Sequence, residues 1–100
     1  MRLMKPKDRV LACVDKGLSH LGETIKHVVY WYLENECGLK KEEIPEKPEE
    51  FITGLEKMYG PGARVIEMNI LSEMRSEFGI NSESFIKAVR KTGKLKEEKG

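Results

Sequence analysis

A chain of 100 residues, 39% of them apolar and 35% charged, has room for one domain with one core that needs neither disulfides nor metal. No apolar run approaches a membrane span, Met1–Val10 lacks the apolar stretch of a signal peptide, and Cys13 and Cys37 form no metal-type pair. The expectation is a cytoplasmic protein with reduced thiols.

The net charge of +1 hides an asymmetry, because residues 1–10 sum to +3, residues 85–100 to +4 and the stretch between them to −6. Such ends could serve as arms on nucleic acid, or could be solvated termini. Thirteen lysines and fifteen glutamates, with no glutamine, follow the compositional trend of hyperthermophiles, so a thermophilic, archaeal source is expected.

Leu11, Val14, Leu18, Leu21, Ile25, Val28 and Tyr32 step alternately by three and four residues, an a/d heptad stripe that predicts helix from Val10 to Glu36. Gly17 and Gly22 interrupt it, each costing about 1 kcal/mol relative to Ala in a helix interior, and a kink or boundary is expected near Gly22. The run Val28–Leu33 also fits a buried strand, but it continues the stripe with no turn before it, so helix wins. Tyr30, Trp31 and Tyr32 lie about 100° apart on a helix and cannot share a face. Part of this helix is therefore sandwiched or offered to another chain. Val29, Tyr30, Trp31 and Leu33 are the candidate partner interface, with a homodimer as one form of it.

Gly38 ends that helix. Leu39–Pro45 reads as a connector with one helical turn in Lys40–Glu43. Pro48 suits the first position of a helix running to Tyr59, and Gly60 stops it. A further helix spans Pro61–Phe78 and ends at Gly79. Asn81 or Ser82 is the expected cap of a last helix carrying Phe85, Ile86 and Val89. Beyond Thr92-Gly93 the tail, residues 94–100, is expected to fray, leaving a core of about residues 8–92. The fold class is all-α, a small orthogonal or bundle-like domain of four to five helices.

Catalytic and metal sites are not expected. Cys13, His20 and His27 recur every seven residues, about 10 Å along a helix, too far apart to share an ion or a proton. Glu23 with His27 is an incomplete metal site. Cys37 sits at a helix C-terminus, where the dipole opposes a thiolate. No cofactor motif occurs. Gly60, Gly62 and Arg64 form a candidate anion or ligand site, since N–H groups at a helix start can hold a phosphate. A tight helix corner explains the same glycines without a ligand. The helix pair around them imitates a helix-turn-helix, but Glu67, Glu73 and Glu77 outnumber Arg64 and Arg75, the wrong sign for DNA.

Leu21–Lys26 (LGETIK) with Tyr30–Glu34, then EEIPEKPEEF at Glu42–Phe51 and LEKMYGPGARVIE at Leu55–Glu67, resembles the Nitrosopumilus-type output domain family, formerly a domain of unknown function. The likeness covers about Leu18–Ile80. It implies a short archaeal protein or signalling output domain with a regulatory, protein-binding role and no cofactor or functional residues to carry over. The function expected is a non-catalytic module that binds a protein partner, away from membranes. The alternative is a nucleic-acid-associated protein using its basic ends.

Overall fold

The computed structural model describes residues 5–97, with side chains through Gly93. Five helices form: α1 (Pro6–Ser19), α2 (Glu23–Cys37), α3 (Pro48–Tyr59), α4 (Ala63–Phe78) and α5 (Phe85–Glu97). Single 3-10 turns at Lys41–Glu43 and Gly60–Gly62 join α2 to α3 and α3 to α4. The all-α expectation holds, with five α-helices among the described residues.

The heptad stripe is split where glycine allows it. The Leu21 and Gly22 N–H groups donate back to the Leu18 and Ser19 carbonyls at 3.0 and 2.9 Å. Gly22 then takes φ +122°, a conformation open to glycine, and its carbonyl accepts the first bond of α2 from Lys26 at 3.1 Å. The break also shifts the phase of burial. In α1 the core face is Val10, Cys13, Val14, Gly17 and Leu18. In α2 it is Val29 and Leu33, both essentially inaccessible, while Val28 on the heptad stripe is exposed.

The remaining boundaries follow local chemistry. Gly38 ends α2 in the left-handed region, with its own N–H and that of Leu39 both turned back to the Leu33 carbonyl, the latter at 2.9 Å. The connector then dives inward, burying Leu39 and Ile44. Pro48 opens α3, and Gly79 ends α4 with its N–H on the Arg75 carbonyl at 2.8 Å.

The start of α5 corrects the cap expected at Asn81 or Ser82. The Ser84 hydroxyl accepts from Lys87 N–H at 3.2 Å, and Glu67 of α4 accepts from Phe85 N–H at 2.8 Å. The helical backbone of α5 also continues past Thr92-Gly93 to Glu97, beyond the expected end. A Cβ added at Gly93 would meet nothing within 4 Å. Gly93→Ala should therefore raise stability by up to about 1 kcal/mol through helix propensity, read as a higher urea midpoint.

The core is one cluster. α1 lies across α4, with Gly17 against Ile70. Phe51 of α3 and Phe85 of α5 stack at 5.2 Å between ring centroids, tilted by 57°. Val14, Leu18, Leu33, Leu55, Ile70 and Met74 fill the space between the helices.

Candidate interaction face

Three consecutive aromatic residues on α2 meet three different surroundings. Tyr30 turns toward α1, where its hydroxyl donates to Asp15 Oδ1 at 3.1 Å. Asp15 Oδ2 accepts from Lys26 at 3.2 Å, and the Lys41 ammonium lies 4.9 Å from the Tyr30 ring centroid. Tyr32 is half-buried. Trp31 points away from the core and is 58% exposed, with Val28 one turn earlier at 46%. The Asn35 side-chain amide donates to the Trp31 carbonyl at 2.9 Å.

The expected interface of Val29, Tyr30, Trp31 and Leu33 is corrected accordingly. Val29 and Leu33 are core residues, since they occupy the side of α2 that packs on α3 and α1, and Tyr30 is committed to Asp15. Of these four only Trp31 is free to meet another molecule, and Val28 of the heptad stripe joins it.

The Tyr30–Asp15 contact has a pH signature. Burial raises the Asp15 pKa, but hydrogen bonds from Lys26 and Tyr30 outweigh it, leaving the carboxyl below its ordinary 3.8. Burial, then the Asp15 charge, raises the Tyr30 phenol. Because the folded Asp15 value is depressed, its contribution is complete above the unfolded pKa and is lost as pH falls through the folded one. Asp15→Asn should lower the urea midpoint at neutral pH and flatten its decline in acid. Tyr30→Phe should cost about 1 kcal/mol at neutral pH.

The Gly60-Gly62-Arg64 site is resolved in favour of the corner. Gly60 has φ +57° and carries the chain from α3 into the 3-10 turn. Arg64 Nη1 donates to Glu67 Oε1 at 2.9 Å and to the Glu83 carbonyl at 3.0 Å. Its charge is spent on holding a buried carboxylate, so the corner does not offer it to an anion.

The cysteine and histidine pattern dissolves with the helix break. His20 sits 3.2 Å from Glu73 on α4, and His27 is 3.9 Å from Glu23. No three His, Cys, Asp or Glu side chains gather to hold an ion among the described residues. Cys13 is buried, and burial pushes its thiol up to about 11, the reverse of an activated nucleophile.

At the basic ends, Lys7 pairs with Glu46, Arg9 with Glu77 at 2.8 Å and Arg90 with Glu49 at 3.2 Å. Arg9 also lies 4.4 Å from the Phe78 ring centroid. These cations tie the termini to the body. Arg2 and the side chains of Lys94, Lys96 and Lys99 lie outside the described residues. Between α1, Pro45 and α5 runs a cleft of about 490 Å³ floored by Pro6, Val10 and Val89. Lys5 and Lys7 line its rim, Lys7 paired with Glu46, and its Thr92 hydroxyl donates to the Val89 carbonyl.

No helix among the described residues is long and apolar enough to cross a membrane. Compared with family models, curated proteins and solved structures, the chain matches none.

Proposed function

We propose that the chain is a non-catalytic regulatory module that works by presenting the outward face of α2 to a protein partner. The observation that carries this reading is Trp31. Phe51 and Phe85 are fully enclosed, whereas the single tryptophan is 58% exposed beside an exposed valine. A solvated indole contributes little to its own fold, and tryptophan is among the residues that dominate binding energy when an interface covers them. We extend this to a signalling role in the cytoplasm, as the sequence resemblance to the archaeal output domain family implies, and to a thermophilic source, as the Lys- and Glu-rich composition implies.

The test places a photo-crosslinking side chain at position 31 and, as a control, at exposed Lys57 on α3. In extract of the source cells, position 31 should give one discrete protein adduct, suppressed by excess unlabelled protein but not by the Trp31→Ala variant. That variant should fold with a stability change within about 0.5 kcal/mol, as exposed substitutions do. Identical labelling from both positions, or none from position 31, would sink the proposal.

A further inference from the structure

We propose that the cleft between the start of α1, Pro45 and α5 binds a small amphipathic carboxylate, a hydrocarbon body ending in one anionic group. Its volume, about 490 Å³, falls within the range of roughly 300–1,000 Å³ found for small-molecule sites. Pro6, Val10, Pro45 and Val89 give it an apolar floor. The one hydroxyl among its lining residues belongs to Thr92, 4% exposed, and its proton is donated to the Val89 carbonyl at 2.6 Å. Side chains below the lysine rim therefore present no free donor, and a hydrocarbon body suits them.

Gly93 is the observation that points to an occupant. It stands inside α5, lines the cleft and follows Val89 by one turn on the same face. Glycine weakens a helix interior, and other glycines of the chain have a structural reason. Gly22, Gly38, Gly60 and Gly79 take positive φ, while Gly17 and Gly54 leave room for Ile70 and Leu33. Gly93 has neither reason, since its φ is not positive and an added Cβ would meet nothing within 4 Å. What the missing Cβ leaves open is the cleft, where a ligand can lie against the backbone of α5. Charge at the mouth sets the sign of the head group. Lys7 is held by Glu46, and Asp8 does not line the cleft. Lys5 does line it, has no carboxylate within 4 Å among the described residues, and stands at the positive end of the α1 dipole. None of these residues belongs to the α2 face, so the site stands or falls independently of the partner proposed there.

Octanoate, octanol and octylamine, equal in chain length and different in head group, test the assignment on the full chain by amide NMR. Octanoate should move the Val10, Val89 and Gly93 signals with saturation. Octanol should bind roughly fivefold more weakly for want of the charge, and octylamine should not saturate. Lys5→Ala should bring octanoate to the level of octanol and leave octanol itself unchanged. Gly93→Ala should weaken octanoate about threefold. Gly93→Leu, which puts a whole side chain into the cleft, should abolish its binding. Neither glycine variant should lower the urea midpoint, which separates a filled cleft from a damaged fold. Failure of all three compounds to saturate overturns the assignment, and so does octylamine binding as tightly as octanoate. Octanoate binding that is indifferent to Lys5→Ala, or that survives in Gly93→Leu, overturns it equally. The crosslink at position 31 reads the α2 face alone, so failure at the cleft leaves that reading standing.

Discussion

Gly17→Ala should destabilise the protein by about 2 kcal/mol or more, although the same change in an ordinary helix interior stabilises by about 1 kcal/mol. A Cβ built at Gly17 would lie 2.7 Å from Ile70 Cγ1, 2.9 Å from Ile70 Cα and 3.0 Å from its nitrogen. The first of these could be relieved by a rotamer change. The other two are backbone atoms of α4, so α1 and α4 would have to move apart along their whole crossing. That separation would loosen Val14, Leu18 and Met74 together, and voids between packed helices are costly. Gly54 is the useful comparison. Its added Cβ would meet Leu33 Cδ2 at 2.5 Å, the far end of a flexible side chain, so Gly54→Ala should cost clearly less than Gly17→Ala. Urea midpoints of the two variants decide the matter, and a more stable Gly17→Ala would disprove the close approach.

The second large effect is expected at Glu67. It is a buried carboxylate, 8% exposed, and both of its oxygens are used: Oε1 accepts from Arg64 and Oε2 from the Phe85 N–H at the start of α5. Negative charge at a helix N-terminus is favourable, and a charge-assisted bond inside the protein is stronger than a neutral one. Glu67→Ala strands the Phe85 N–H and leaves Arg64 without its partner, at a cost of about 2–3 kcal/mol. Glu67→Gln preserves the shape but turns an amide donor toward one of two donors, so about half that loss is expected. Arg64→Ala should cost least, because Arg64 is exposed and its loss leaves the α5 cap in place. Urea midpoints together with hydrogen exchange of the first turn of α5 would establish the order. A Glu67→Gln variant as stable as the parent would show that the carboxylate is idle.

Both residues lie outside what a linear reading can reach. The helix ends at Gly38, Gly60 and Gly79, the start at Pro48 and the break at Gly22 were legible because each is decided within a few residues. Gly17 looked like a propensity defect because its reason, Ile70, sits in another helix. Glu67 carried no mark distinguishing it from other glutamates in a charge-rich chain. The Val28–Val29 exchange had a different origin. A heptad count assumes one unbroken helix, and the turn at Gly22 resets the phase, so the residue after the stripe became core. Leu39 and Ile44 were hidden by their irregular backbone, which gives no periodicity to count.

The candidate face was half visible. The 100° step between adjacent residues correctly separated Tyr30, Trp31 and Tyr32. Which of them faced outward depended on where α1 and α3 packed. Tyr30 found a partner in Asp15 that no spacing in the sequence signals, and that left Trp31 as the one turned to solvent.

The crossing of α1 over α4 also orders events during synthesis. More than half of the chain separates Gly17 from Ile70, so contacts between the first helix and its main neighbour are of high sequence separation. While α2 and α3 leave the ribosome, the apolar face of α1 has no α4 to cover it. Chains arrested before Ala63 should stay sensitive to protease within residues 6–19, and those extended beyond Phe78 by enough linker to clear the exit tunnel should become protected. The N-terminal helix is made first and secured late.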